Sequence, residues 1–432
     1  MGRPKKVTAT STYVPKKVFG LDGTFDILSE QNFLWDAVIK KVARISRVYG
    51  FNRVETPFLE DVRLYENFYK NSPKLLHSLV TVEMAGNKAA LRSAFLPSVL
   101  RAYYQYRLFD QPAINKWFFS GPAVTAEEDG KQINSDFEFG FEVFGNFTHL
   151  AEAQVIGAVW ELLKSLGLKD LSLEINNIGQ EECQNTYENA LQSFLSAKKY
   201  ELCDECNEHL TGRVLNVFRC DNLDCQAIVS EAPTVLDFLD QDSHKHFTSI
   251  LEALDELSVP YQLNPYYAGP DGHSKTNIVV KAKIKGETEI VGEGGYHEQL
   301  MQNLCGKNIT CFGFSGSAKK IYDILDLAKT EVSKDLKSDV FLVPLGDLAS
   351  KRSLRLFRDL TTEKISVYDS FGLSGVKNQL KQAEMYRAPI ALIMGQKEAA
   401  DEMVILRDVK SGMQEVISYD KIVEEVKKRL GK

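Results

Sequence analysis

Asp136-Phe-Glu-Phe-Gly-Phe-Glu-Val-Phe144 alternates polar and apolar side chains along its length. That period-two pattern predicts a strand with one face packed on a core. Upstream, Ile114-Asn-Lys-Trp-Phe-Phe119 shows the same alternation, and a polar loop at Glu127–Asn134 separates the two. They read as an antiparallel pair, the centre of an antiparallel sheet.

Working outward, helices and strands flank this pair. In Phe33-Leu-Trp-Asp-Ala-Val-Ile-Lys-Lys-Val-Ala-Arg-Ile-Ser-Arg-Val-Tyr49 the apolar residues Leu34, Ala37, Val38, Val42 and Ile45 recur at helical steps, and Gly50 ends the run. Asn52–Thr56 reads as a strand closed by Pro57. Leu79–Met84 and Lys88–Arg92 form a hairpin about Gly86-Asn87. Helices are predicted at Pro97–Tyr106 and Leu150–Leu166, and strands at Leu171–Ile175, Asn277–Ile284 and Thr288–Val291. Residues 180–258 change character to helical, charged and cysteine-bearing sequence. Ile324–Leu336 reads as a polar helix or linker. From Val340 to Leu430 strands and helices alternate, which predicts a small α/β domain with a mixed or parallel sheet.

The totals bound the function. A chain of 432 residues with 44% hydrophobic and 26% charged residues is an ordinary globular protein of two or three domains. A net charge of −7 argues against a dedicated non-specific nucleic-acid binder. No apolar run is long enough for a membrane span, and the basic start has no apolar stretch behind it, so a cytoplasmic protein is expected. The tail, Arg3 to Lys6 with Lys16-Lys17, reads either as a disordered solubilising end or as a phosphate contact. Seven cysteines without an export signal do not suggest a disulfide framework.

Four of them cluster. Cys203-Asp-Glu-Cys206 is followed, after thirteen residues, by Cys220, and four more separate Cys220 from Cys225. This spacing, looser than two clean CxxC pairs, fits a structural zinc site of four thiolates, with His209 as a substitute ligand, and also fits buried free thiols in the insertion. Cys183, Cys305 and Cys311 are isolated and read as core residues.

Several ordered segments together resemble histidyl-tRNA synthetase, a class II aminoacyl-tRNA synthetase. Gly23–Leu28 is similar to that family's start signature, and Tyr49–Pro57 to its motif 1, whose proline sits at the dimer interface. Arg101-Ala-Tyr103, Gln111-Pro112, Gly121-Pro122 and Phe139–Gly145 resemble the motif 2 region, and Leu173–Gly179 the strand entering its insertion. Asp339–Gly346, Gly375–Lys381 and Ala391–Gly395 resemble its anticodon-binding domain. The resemblance implies α/β and α+β architecture: a class II synthetase antiparallel-sheet core (21–179 and 259–328) after a flexible tail (1–20), a helical insertion (180–258), a linker (329–338) and an α/β anticodon-binding-type domain (339–432). It also implies a homodimer that contacts tRNA, with ATP and magnesium only if the site is active.

Such an enzyme steadies charge on the α-phosphate of ATP, work suited to the arginine fork. The residues that the family uses are largely replaced. Its motif 2 arginines fall on Thr125 and Glu128, and its histidine-contacting glutamate on Ala94. The arginine before the paired tyrosines falls on Gln262, and the motif 3 arginine on Lys320. The stretch that should contact the tRNA acceptor end, Glu127–Asp136, is acidic. Glu142, Tyr266, Tyr267 and Tyr296 match pocket residues, yet they read equally as a hydrogen-bonded buried carboxylate and core aromatics. Losing several such groups together removes much transition-state stabilisation. The expectation is a non-catalytic or strongly impaired synthetase-like protein that binds RNA or protein. The alternatives are an active histidine–tRNA ligase with a rebuilt site, and a histidine-sensing regulatory subunit of ATP phosphoribosyltransferase.

Overall fold

The computed structural model describes residues 18–70, 72–84, 86–111, 113–127, 132–284, 286–328, 338–369 and 375–431. The basic groups Arg3 to Lys6 and Lys16-Lys17, Pro112, Glu128 and linker residues 329–337 lie outside them. The chain divides into two compact units, Met1–Thr330 and Glu331–Lys432. Among the described residues no helix is long and apolar enough to cross a membrane.

The first unit begins with α1 (Asn32–Val48), β1 (Asn52–Arg53), β2 (Leu59–Asp61), α2 (Val62–Phe68) and α3 (Pro73–His77). The hairpin β3 (Thr81–Met84) and β4 (Asn87–Leu91) leads into α4 (Phe95–Gln105), then β5 (Asn115–Ala126) and β6 (Ile133–Phe144). After α5 (His149–Ser165) and β7 (Leu171–Asn177) come α6 (Glu181–Ala197), α7 (Asp204–His209), α8 (Leu223–Val229) and α9 (Gln241–Glu256). The unit closes with β8 (Gln262–Leu263), β9 (Ser274–Ile284), β10 (Glu287–Tyr296), α10 (Glu298–Cys305), β11 (Cys311–Ser317) and α11 (Ala318–Leu327).

The main sheet has the order β1-β5-β6-β11-β10-β9-β7-β8, antiparallel except for the short edge pairs β1–β5 and β7–β8. The predicted pair at its centre is present, but β5 runs on to Ala126 and β6 starts at Ile133, so the loop between them is shorter than the polar composition suggested. Twelve-residue strands on both sides hold that polar sequence in the ladder. One face of the sheet is apolar: Phe139, Phe141 and Val143 of β6, with Phe312 and Phe314 of β11, are buried under α1, α5, α9 and α11. Each phenylalanine buried this way contributes about 2–3 kcal/mol.

Within residues 180–258, α6, α7 and α8 enclose a core of their own built on Tyr187, Leu191, Leu195, Val214 and Leu215. The last helix of the segment does not belong to it. Phe247, Ile250 and Leu254 make an apolar stripe on α9 that packs into the main core.

The second unit contains β12 (Val340–Pro344), α12 (Asp347–Thr362), β13 (Val367–Asp369), α13 (Val376–Met385), β14 (Ile390–Met394), α14 (Gln396–Ala400), β15 (Met403–Asp408), β16 (Gln414–Ser418) and α15 (Tyr419–Leu430). Its sheet is mixed: β13-β12-β14 is parallel and β14-β15-β16 antiparallel. Along β12, Val340 and Leu342 enter one core while Phe341 and Val343 enter another, so both faces are covered.

Candidate functional site

The face of the main sheet opposite the aromatic core floors a cleft of about 350 Å³. Strand register decides which side chains reach it. Glu142 pairs with Gly313, and Glu138 with Ser317, across β6–β11, so these residues share one face. Ser315 pairs with Glu293 and Gly313 with Gly295 across β10–β11, which brings Glu293 to the same face. A Cβ at Gly313 would strike the Glu142 carboxylate, so the close approach there requires glycine.

The cleft is lined by Asp136, Glu138, Asp271 and Glu293, by His273 and His297, and by apolar side chains such as Phe68 and Leu96. Among the described lining residues there is no lysine or arginine. Glu138 Oε2 accepts the backbone N–H of Phe95 at 2.8 Å, at the start of α4, where Ala94 offers no side-chain cap. Burial pushes its carboxyl up to about 7. Asp136 Oδ1 accepts the Ser317 hydroxyl at 2.6 Å. Glu293 Oε1 accepts from Tyr267 at 2.9 Å and from Arg219 Nη2 at 2.7 Å. Asp271 Oδ1 accepts from Arg213 Nη1 at 2.7 Å, and its other oxygen accepts the Ser72 hydroxyl. Two guanidinium groups, Arg213 and Arg219, are thus held by carboxylates of the cleft wall, while a third, Arg92, lies close enough to Glu138 to interact with it electrostatically.

Two buried imidazoles meet at the cleft's inner end, with ring centroids 4.6 Å apart. His273 Nδ1 lies 3.2 Å from Asn277 Oδ1, and burial, reinforced by the neighbouring His297, holds His273 well below the ordinary histidine range. His297 Nδ1 lies 2.9 Å from Glu142 Oε1. Burial raises the Glu142 carboxyl, and His297 draws it back down.

Of the residues matched from sequence to a pocket, Glu142, Tyr266, Tyr267, Tyr296 and Lys320, none is among the residues that line this cleft. Glu142 is buried behind His297. Tyr266 donates its hydroxyl to Ser230 O at 2.9 Å, within the 180–258 segment. Tyr267 is buried and donates to Ile278 O at 3.1 Å and to Glu293. Tyr296 points to the helix-covered face, where it donates to Glu152 Oε1 of α5 at 2.6 Å. Lys320 Nζ lies 3.3 Å from Glu289 Oε2, both side chains well exposed. Ala94 does line the cleft, whereas Thr125, near the end of β5, and Gln262, exposed on the outermost strand β8, do not. Arg92 is buried with its guanidinium 3.7 Å from the Phe95 ring centroid. The four clustered cysteines converge, with all Sγ atoms within 4.8 Å of one another; His209 is not part of that group.

Glu138, Glu293, His273, His297, Arg213 and Arg219 were missed by the sequence reading. Glu138 alone had a signal, since it stands at the same strand phase as Glu142.

The family model described as Histidyl-tRNA synthetase matches residues 23–321, and the model of the anticodon binding domain matches 339–429. The chain belongs to the histidyl-tRNA synthetase family. A histidine–tRNA ligase of Dehalococcoides mccartyi is 30% identical over 414 residues, covering 94% of this chain and 99% of that protein. One from Thermodesulfovibrio yellowstonii is 27% identical over 413 residues, 95% of this chain and 98% of that protein. The fold of apo Staphylococcus aureus histidyl-tRNA synthetase superposes with a TM-score of 0.77 at 24% identity, covering 95% of this chain and all of that one. A Bacillus halodurans ATP phosphoribosyltransferase regulatory subunit/histidyl-tRNA synthetase superposes at 0.64 with 16% identity, covering 88% of this chain and 99% of that one. These likenesses establish a class II synthetase fold with a C-terminal anticodon-binding domain.

Proposed function

We propose that this chain is a non-catalytic or strongly impaired histidyl-tRNA synthetase paralogue, a cytoplasmic dimer that binds tRNA or another RNA through its second unit. One observation carries the reading: the cleft is walled by Asp136, Glu138, Asp271 and Glu293, with no lysine or arginine among its described lining residues. Joining histidine to ATP builds negative charge at phosphorus, and a carboxylate wall opposes it. Each stabilising donor removed from such a site costs about 10²–10³ in kcat. Ala94, Thr125 and Gln262 supply no charge where the family has it, and Lys320 is held outside the cleft near Glu289.

Support for RNA contact comes from α12, which exposes Lys351, Arg352, Arg355 and Arg358 on the anticodon-binding-type domain. The part of residues 180–258 ahead of α9 would act as an inserted module, and tRNA remains the leading partner because the relatives are tRNA ligases.

The test is histidine-dependent ATP–pyrophosphate exchange on the purified full chain, run beside a tRNA-binding titration and light scattering for the dimer. The expected result is exchange at the blank level with tRNA retained. Robust exchange overturns the reading and makes the chain a histidine–tRNA ligase. The histidine-sensing alternative is weakened because the Glu142 carboxylate, matched to the family's ammonium partner, is buried and already has one oxygen facing His297.

A further inference from the structure

Cys203 directly precedes α7 and Cys206 lies in its first turn; Cys225 occupies the first turn of α8, with Cys220 just ahead of it. Asn222 caps α8 by accepting the N–H groups of Asp224 and Cys225, which fixes the second pair as firmly as α7 fixes the first. Two short helical turns therefore present two cysteines each to one point, and all Sγ atoms lie within 4.8 Å of one another. Cys203 Sγ and Cys220 Sγ are 3.8 Å apart. A tetrahedral ion with metal–sulfur bonds of about 2.3 Å has edges of roughly that length. A disulfide would need about 2.05 Å, and all seven cysteines are free.

The backbone is arranged for thiolate sulfur. Cys206 N–H points to Cys203 Sγ at 3.4 Å, Asn222 N–H to Cys220 Sγ at 3.4 Å, and Cys203 N–H to Cys225 Sγ at 3.2 Å. Hydrogen bonds of this kind offset the excess negative charge that four thiolates place around a divalent ion. Cys206 and Cys225 are fully buried, and Cys203 and Cys220 are half-buried against the same small core, so no open ligand position faces solvent chemistry. Four thiolates in a closed tetrahedron suit zinc in a structural role, with iron the competing metal for the same ligand set.

We propose that Cys203, Cys206, Cys220 and Cys225 bind one structural Zn²⁺ that staples α7 to α8. The ion enters as each thiol gives up its proton, leaving four thiolates on one metal. The staple brackets the stretch from Arg213 to Arg219, whose guanidinium groups reach Asp271 and Glu293 of the cleft. Small helical cores of this size gain much of their stability from such an ion.

The test is elemental analysis of the full chain purified without chelator. One zinc per chain is expected, released by a mercurial thiol reagent in step with modification of four cysteines. Cobalt exchanged into the same protein should show the intense visible absorption of tetrahedral thiolate ligation. Cys206→Ser and Cys225→Ser should lose the metal, while Cys305→Ser, outside the cluster, should keep it. If the serine variants fail to fold, the mercurial release and cobalt spectrum of the unaltered protein decide alone. Metal-free protein whose four thiols react freely in the native state, or iron in place of zinc, overturns the proposal.

Discussion

Glu142 Oε1 lies 2.9 Å from His297 Nδ1, with Glu142 only 1% exposed and His297 buried beside it. Gly313 leaves the space that the carboxylate fills, and β10 delivers His297 one residue after the sheet's last paired position, Tyr296. The pair closes the inner wall of the cleft with its own hydrogen bond. Glu142→Ala should therefore destabilise the protein by about 2 kcal/mol, because it strands a buried ring nitrogen. Glu142→Gln, which keeps an acceptor, should cost less than half of that. Urea unfolding midpoints check both. Equal costs for the two variants would show that volume, not the hydrogen bond, holds this wall.

The same occupancy governs ligand response. A bound ligand at a hundred times its Kd raises stability by about 2.7 kcal/mol. Free histidine would have to share the buried Glu142 carboxylate with His297, and ATP would face a carboxylate wall. Neither should move the melting temperature at millimolar concentration, alone or together. A clear rise with both present would point to a working site and against the non-catalytic reading.

Glu138 should make stability depend on pH in a direction opposite to most carboxylates. Its folded value is raised from the ordinary 4.5 to about 7, mainly by burial. Between those values the folded state holds a proton that the unfolded state has lost, so stability falls as pH rises through this window. A shift of that size corresponds to about 3 kcal/mol, fully present below pH 4.5. His273 works the other way, since its folded value is depressed and its contribution is lost as pH falls below its ordinary 6.5. The difference between unaltered protein and Glu138→Gln isolates the carboxyl. Glutamine still accepts the Phe95 N–H, so the variant should gain relative stability from pH 4.5 to 7. A pH-independent difference would sink the assignment.

Much of the fold was legible because periodicity reports burial directly. α1 carries a long apolar stripe and lies where it predicted, and the alternation of β6 marks the centre of the sheet, although β5 runs on past its predicted end to Ala126. The hairpin β15–β16 of the second unit went unread: Gln414–Ser418 is mostly exposed and mixes Glu415 with Val416, so no stripe marks it. β11 carries no clear alternation either, because Gly313 and Gly316 are poor strand formers that close packing retains here. The site was harder. Which face a residue meets depends on register, and register joins β6, β10 and β11 across long sequence gaps. Hence Tyr296 carried a family match yet turns away from the cleft, while Glu293, three residues earlier, turns into it. Arg213 precedes a short 3₁₀ segment that Arg219 ends, with no periodic signal, and only the folded chain brings them to Asp271 and Glu293.

That opposition of faces yields the sharpest discriminating variant. Tyr296 donates to Glu152 Oε1 at 2.6 Å, and His246 Nε2 stands 2.8 Å from the same oxygen. Glu152 is completely buried and its Oε2 has no hydrogen-bond partner. Removing the hydroxyl in Tyr296→Phe leaves a buried carboxylate with His246 as its remaining partner. The expected cost is about 2 kcal/mol in unfolding free energy. Because the hydroxyl lies on the helix-covered face, the variant should leave tRNA affinity unchanged. Tyr296→Phe combined with Glu152→Gln should cost less than the sum of the two, since both act on one buried network. A Tyr296→Phe protein as stable as the original, but altered in its response to histidine or ATP, would place this tyrosine in a ligand pocket after all.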